Sequence, residues 1–579
     1  MTAIFLRCVA LGAVFALAWS CSSKPASQDG DFESAAKDYL EELLATSPEL
    51  ATYLGDHRFD SQLGDYSREG FAQSLALEKR YLERLDKIDA ARLSPENAID
   101  YEILRNQVES SIFELEDIRE YEWNPLVYNV SGSIYALLAR DFAPLDERLK
   151  NVAARLEQLP RVLDAARANL AHPPKVHTET AIGQNAGSIS LIRDDLEAFL
   201  ADAPAMRAPL ERPRADAIQA LEAYGQWLEK DLLPRSDGDF RLGEPKFRKK
   251  LAFSLHTDMT MEQILDRAEK GLAETHLALY ETALPLHREF FPKATDAERE
   301  DRTAVIRAVL TRLADDHPTN ATIVDDAKAA LEETTQFVAQ ADLVSLPTEP
   351  VEIIVMPEFQ RGVSTAYCDS PGPLEKNGKT FYAISPTPES WTKQRADSFY
   401  REYNDYMLRD LTVHEAMPGH YLQLSHSNRY RGSTMTRAVF YSGTFVEGWA
   451  VYAEQIMVEH GFGGPRVKMQ QLKMLTRAIL NTILDQKIHA GSMTEDEAMR
   501  LMIDEGFQED GEAAGKWRRA CLTSAQLSTY FAGATEINGI RDAYEAKNGP
   551  ISDWQAFHDQ VLSYGSPPAK YVKRMMGLE

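Results

Sequence analysis

Leu411-Thr412-Val413-His414-Glu415-Ala416-Met417-Pro418-Gly419-His420-Tyr421-Leu422-Gln423 places two histidines, a glutamate and a helix breaker within thirteen residues. His followed by Glu opens the metal-binding helix of many zinc hydrolases, where two imidazoles hold the ion from one face and the carboxylate activates water. That chemistry needs neutral rings and a carboxylate able to accept a proton. In the common arrangement the histidines are four apart, close to one turn. Here they are six apart, which on a regular helix means roughly 600° of rotation and about 9 Å of rise, too far for one ion. Pro418 stands four after His414, lacks the N–H that would bond the His414 carbonyl, and clashes with that carbonyl. Gly419 then admits an unusual backbone. Together they predict a bulge in one kinked helix that absorbs the two extra residues and lets His414 and His420 converge. The competing reading is a kinked core helix with two satisfied histidines.

A third ligand is expected from a neighbouring helix. Arg437 to His460 is apolar and helix-length, and contains Phe445-Val446-Glu447-Gly448-Trp449-Ala450-Val451-Tyr452-Ala453-Glu454. Carboxylates in such surroundings are costly unless paired or metal-bound, so Glu447 is the expected third ligand. Glu454, seven residues on and hence on the same face, is expected behind it, orienting a histidine. Asp410, one turn before His414, is a second candidate for that task. His426, six after His420, is an alternative ligand, whereas His256 and His558 have no ligand-like neighbours in sequence. Gly461 is the expected end of this helix.

Outward from this pair the chain reads as helix almost throughout. Ala36-Tyr39-Leu40-Leu43-Leu44, Leu75-Leu77-Tyr81-Leu82-Leu85 and Leu149-Val152-Leu156-Leu159-Val162 are helical apolar stripes. Ser94-Pro95 and Thr260-Met261-Glu262-Gln263 are helix starts. Strand signals are confined to Val351–Met356, rich in β-branched residues, and Thr380–Ile384, which follows a turn-like Lys376-Asn377-Gly378-Lys379. The expected fold is mainly α: a large helical body in two lobes around a cleft, with a small sheet or hairpin near residues 351–384. An N-terminal lobe over 33–350 and a catalytic lobe over 351–579 follow, unless the two form one continuous domain. The chain has 579 residues, 44 % hydrophobic and 26 % charged, with a net charge of −26. So acidic a surface repels phosphate backbones and argues against nucleic acid as a partner.

The N-terminus reads as an address. Arg7 precedes an apolar run from Cys8 to Trp19, too short to span a bilayer, so residues 1–20 are an expected signal peptide. Leu17-Ala18-Trp19-Ser20-Cys21 resembles a bacterial lipobox, with Cys21 the lipidated residue, and residues 21–32 read as a flexible tether. Cys368 and Cys521 read as two free thiols, with a disulfide between them the alternative in an oxidising compartment.

His-Glu-Ala-Met-Pro-Gly-His over 414–420, followed by Glu-Gly-Trp-Ala-Val-Tyr-Ala-Glu over 447–454, resembles the signature pair of the bacterial family known as domain of unknown function 885. The likeness extends to Ser47–Gly55, Thr178–Gln184 and Tyr564–Pro567. It implies a zincin-like helical body, similar to carboxypeptidase Taq and angiotensin-converting enzyme, in an exported lipoprotein of the cell envelope or periplasm, anchored to the outer membrane and touching membrane only through its lipid. The expected activity is a gluzincin-type zinc metallopeptidase, with Zn2+ on His414, His420 and Glu447 and Glu415 as general base. Tyr530, in a segment resembling the family's, is the candidate for holding the oxyanion. Tyr367 and Tyr382, flanking the expected hairpin, and Arg541 are candidates for binding substrate, and residues 380–384 for pairing with it as an edge strand. A non-peptide amide or ester, such as a cell-wall fragment, is an alternative substrate. A non-catalytic binding lipoprotein is the alternative of another class. No G-x-S-x-G elbow supports a serine hydrolase.

Overall fold

Helix follows helix because the apolar residues recur at helical spacing and the breaks between them carry caps. The computed structural model describes residues 26–356, 366–376, 378–388 and 391–579. The expected signal peptide and the lipidation candidate Cys21 lie outside the described residues. The principal helices are α1 (Asp29–Thr46), α2 (Arg68–Leu85), α3 (Pro95–Phe113), α4 (Leu145–Asn169), α5 (Arg207–Trp227), α6 (Met261–Phe290) and α7 (Ile323–Gln340). After a small sheet come α8 (Asp405–Glu415), α9 (His420–Ser427), α10 (Gly443–Glu459), α11 (Gly464–His489), α12 (Asp510–Leu522) and α13 (Thr529–Asn548). Ser94 caps α3 ahead of Pro95, and Thr260 forms a capping box with Gln263 at the start of α6. Among the described residues, no helix is long and apolar enough to cross a membrane.

The tether expected over 21–32 is shorter than its composition suggested, since α1 already begins at Asp29. Asp29 and Asp31 occupy the first turn, where the helix dipole favours negative charge. The Asp29 carboxylate also accepts from Ser94 N and Asn97 Nδ2, at 2.8 and 2.9 Å, which docks this end on α3.

Among the described residues the sheet has three strands, β1 (Val351–Val355), β2 (Ala366–Asp369) and β3 (Thr380–Ile384), in the order β1-β3-β2. β1 runs parallel to β3, Val351 opposite Thr380, so the two expected strands do not form a hairpin. Parallel neighbours need a long crossover, and the chain between them supplies β2 as the antiparallel partner of β3, Ala366 opposite Ile384.

One large core is built by α4 and α5, with the expected stripe Leu149, Val152, Leu156, Leu159 and Val162 buried in it. A second gathers α7, the sheet, α8, α9, α10 and the C-terminal helices. The boundary expected at residue 350 therefore falls inside a core, with α7 and α8 on opposite sides of it and packed together. Helix α6 likewise packs along α11.

Helix α10 lies against α13 at a crossing of two glycines. A Cβ on Gly533 would lie 2.0 Å from the Thr444 carbonyl oxygen, and one on Gly448 would lie 2.3 Å from the Gly533 carbonyl carbon. Only glycine lets the backbones meet so closely. Gly533→Ala is expected to destabilise the protein by about 2 kcal/mol or more through overpacking, seen as a lower urea midpoint. Gly183→Ala, on the exposed face of the helix Lys175–Ser190 with open space around it, is expected to stabilise by about 0.5–1 kcal/mol in the same assay.

Candidate metal centre

Helix α8 ends at Glu415, where Ala416 N and Met417 N both donate to the Thr412 carbonyl, at 3.0 and 3.1 Å. Gly419 N then reaches back to Val413 O at 2.9 Å, and α9 starts at His420. The Met417–Pro418 peptide is cis. The expected single kinked helix is thus two helices with a four-residue reversal between them. Pro418 offers no N–H to continue the ladder, and Gly419 is pressed onto α8 so closely that a Cβ would lie 1.9 Å from the His414 carbonyl oxygen. Trp449 Nε1 donates to Pro418 O at 2.9 Å and fastens the reversal to α10.

The reversal brings together the side chains that sequence spacing alone kept apart. Glu447 Oε2 lies 3.7 Å from His414 Nε2 and 3.5 Å from His420 Nε2. The two imidazoles stand nearly perpendicular, 86° apart with centroids at 4.8 Å. Ligand atoms of His414, His420 and Glu447 all lie within 4.8 Å of one another, a group able to hold a metal ion. Tetrahedral zinc with bonds of about 2.0–2.1 Å needs donors about 3.3 Å apart, close to these separations. Glu447 Oε2 is buried and accepts no hydrogen bond among the described residues, as suits an oxygen turned toward a cation.

Behind the triad, Glu454, 1 % exposed, accepts from His414 Nδ1 at 2.6 Å and leaves Nε2 to face Glu447. Burial opposes the charged form of His414, but Glu447 and Glu454 outweigh it and raise its pKa. The same two histidines pull Glu447 below the usual carboxylate range despite its burial. Asp410 does not take the orienting role, which belongs to Glu454. Both its oxygens are buried without a hydrogen-bond partner among the described residues, and burial followed by repulsion from Glu454 drives its pKa up.

Glu415 points its Oε2 at the backbone N–H of Cys368, 3.0 Å away on β2. The strand edge beside the site is therefore β2. The expected edge strand, 380–384, is the sheet's centre, with both sides occupied. Tyr382 is fully buried beneath α8, its hydroxyl 3.1 Å from Thr412 Oγ1. Tyr367 adjoins Cys368 on β2, opposite Ala383. Tyr530, on the first turn of α13, stacks its ring 6.5 Å from that of His414. Its oxygen accepts from Arg519 Nη2 at 2.9 Å and Gln526 Nε2 at 3.4 Å. Burial and then Glu447 raise its pKa, keeping the phenol protonated. Arg541 sits about 16 Å further along α13, paired with Glu459 at 2.7 Å and covering Trp554. His426 is bonded to Ser345 O, His256 to Tyr571, and His558 to Leu343 O and Tyr452, all away from the triad. Cys368 and Cys521 are free thiols.

Sequence reasoning missed Asp485 on α11. It accepts from Ala525 N at 3.0 Å and from Ser528 N and Oγ at 3.1 and 2.7 Å, and so pins the turn that launches α13 and Tyr530. No local pattern marks it, because its partners lie 40 or more residues away. Burial pushes Asp485 up to about 6, against these donors.

The chain belongs to the bacterial family of proteins of unknown function DUF885, whose family model matches residues 48–576. A solved structure from Shewanella oneidensis, assigned as a lipoprotein of unknown function, is 34 % identical with a TM-score of 0.79, covering 94 % of this chain and 99 % of its own. A second, assigned as a lipoprotein from Colwellia psychrerythraea, is 17 % identical with a TM-score of 0.78, covering 96 % and 100 %, and shares the fold. No curated protein matches the sequence.

Between the ordinary aspartate pKa near 4 and about 6, the unfolded chain ionises Asp485 while the folded chain keeps its proton. Its stabilising contribution is thus present at low pH and lost as pH rises through 6, by up to about 3 kcal/mol. Urea melts from pH 4 to 7 are expected to show wild type losing this increment relative to Asp485→Asn, which has no proton to release there.

Proposed function

We propose that this protein is an exported, zinc-dependent hydrolase that cleaves peptide bonds. The observation that carries the reading is the convergence of His414, His420 and Glu447, with Glu415 next to His414 in sequence and held by a strand edge. The two neutral imidazoles and one carboxylate would hold the ion, and Glu454 would fix the tautomer of His414. Bound there, zinc would supply a Lewis acid that polarises the scissile carbonyl and lowers the pKa of water.

The chain's own groups do the rest. Glu415 takes a proton from the attacking water and passes it to the leaving nitrogen. The Cys368 N–H holds that carboxylate in place between turnovers. Tyr530 donates its hydroxyl hydrogen to the oxyanion, since Arg519 and Gln526 already occupy the oxygen as donors. Among the described residues no strand pairs with the outer edge of β2, where an extended peptide would align by main-chain hydrogen bonds. The lipobox-like Cys21 and the lipoprotein assignment of the Shewanella oneidensis relative support export and anchoring through a lipid.

Mass spectrometry of the native protein is expected to find one zinc per chain, and none in His420→Ala. Glu454→Gln should weaken zinc about 10–100-fold. Glu415→Gln should keep the metal and lose at least about 100-fold in turnover of a peptide library. Zinc-free wild type, or an active Glu415→Gln enzyme, would refute this assignment.

A further inference from the structure

Helix α12 brings positive charge to the site that the chain does not neutralise. Neighbouring cations on α11 are matched: Lys473 Nζ lies 2.9 Å from Glu402 Oε2, and Arg477 pairs with Glu512 and, at 3.7 Å, with Glu402. Lys516, by contrast, is 8 % exposed and has no hydrogen bond or ion pair among the described residues. The charges acting on it are those of Arg477, Arg519, Glu512 and Glu447. Of these carboxylates, Glu512 is already bound to Arg477, and Glu447 faces the two histidines. Arg519 lies one turn further along the same face of α12. Among the described residues its guanidinium bonds only neutral atoms, Gln526 Oε1 and the Tyr530 oxygen, both at 2.9 Å. Burial, then repulsion from Arg477 and Arg519, pushes the Lys516 amine down to about 7. An amine on so enclosed a side chain, whose nearby carboxylates are already engaged by other groups, is costly, and an arriving anion would offset that cost.

The position of this pair gives the anion a meaning. Arg519 touches Tyr530, and the Tyr530 ring stacks over His414. β2 meets the site on its other flank, at Glu415. The Tyr530 ring centroid lies 6.5 Å from that of His414 and 5.9 Å from the Arg519 guanidinium carbon, so histidine and guanidinium are at most about 12 Å apart, a gap of no more than three or four extended residues at about 3.3 Å each. We propose that Lys516 and Arg519 form a subsite for the free C-terminal carboxylate of a peptide, so that the enzyme removes short fragments from the C-terminal end. The assignment rests on the hydrolase reading above and names its substrate class. The reaction adds water across one amide bond: hydroxyl goes to the acyl carbon, hydrogen to the nitrogen of the released fragment, whose carboxylate α12 holds throughout.

The test compares N-acetylated tripeptides with free and with amidated C-termini, assayed on zinc-loaded full-length protein by chromatography and mass spectrometry. Free acids should be cleaved at least about tenfold faster than amides, the scale of a charge-assisted hydrogen bond. Lys516→Met should raise KM for the acids by about tenfold while leaving amide turnover unchanged, and Arg519→Gln, which also removes a donor from the Tyr530 oxygen, should lower turnover of both substrates and cut the acid-to-amide ratio of kcat/KM by about tenfold. Circular-dichroism melts check that both variants fold, and Arg519→Gln, at a solvent-accessible position, covers the case in which Lys516→Met does not. Calorimetric binding of the same peptides to Glu415→Gln separates the two ideas. Preferential acid binding without hydrolysis by wild type would keep the subsite and remove the hydrolase reading. Equal cleavage of acids and amides, or equal binding of both, would overturn the subsite and leave the hydrolase reading intact.

Discussion

A carboxylate inside an apolar helical bundle must find a partner or give up its charge, and around His414 three carboxylates are solved in three ways. Glu447 lies between two imidazoles, Glu454 bonds the far nitrogen of one of them, and Asp410, without a partner among the described residues, is held toward its neutral form. Glu415, at the edge of the group, takes a backbone N–H from β2 instead. Remove His414 and Glu454 loses its nearest counter-group while Glu447 loses one of its two. The imidazole is the link between them, which is why its place in the fold is so tightly held.

That place is set by glycine contacts. Gly419 lies on the His414 carbonyl, and Gly448 lies on Gly533. The first brings His420 round to His414. The second, one residue after Glu447 and three after Tyr530, brings the helices bearing the carboxylate and the phenol within reach of each other. Both contacts are backbone against backbone, so side-chain repacking cannot absorb an added methyl group.

How much of this the sequence disclosed follows from how local the cause is. The helices, their caps and the pairing of Glu447 with Glu454 were legible because a 3.6-residue period puts their determinants within a few positions. Pro418 and Gly419 announced a distortion, but whether a helix bends or stops depends on what receives it, here Trp449 of α10. β2 escaped notice because four residues carry too little pattern, and the direction of β1 is fixed by a crossover rather than by its own residues. Asp485 and Arg519 were invisible for a related reason. Their importance lies in what they touch, and Asp485 touches a turn 40 residues away.

The long-range ties also fix when the site can first assemble. The core of α4 and α5 is complete within residues 63–232, yet β2, α8, α10 and α13 meet at the site only across residues 367–530. The last helix closes the body further still, with Tyr571 donating to Glu102 at 2.9 Å on α3. A chain emerging from the ribosome, or threading through a membrane, carries His414 long before Tyr530 exists to face it. The group around His414 therefore stays incomplete until residue 530 has arrived. The fold thereby makes the meeting of these helices one of the later events in the chain's assembly.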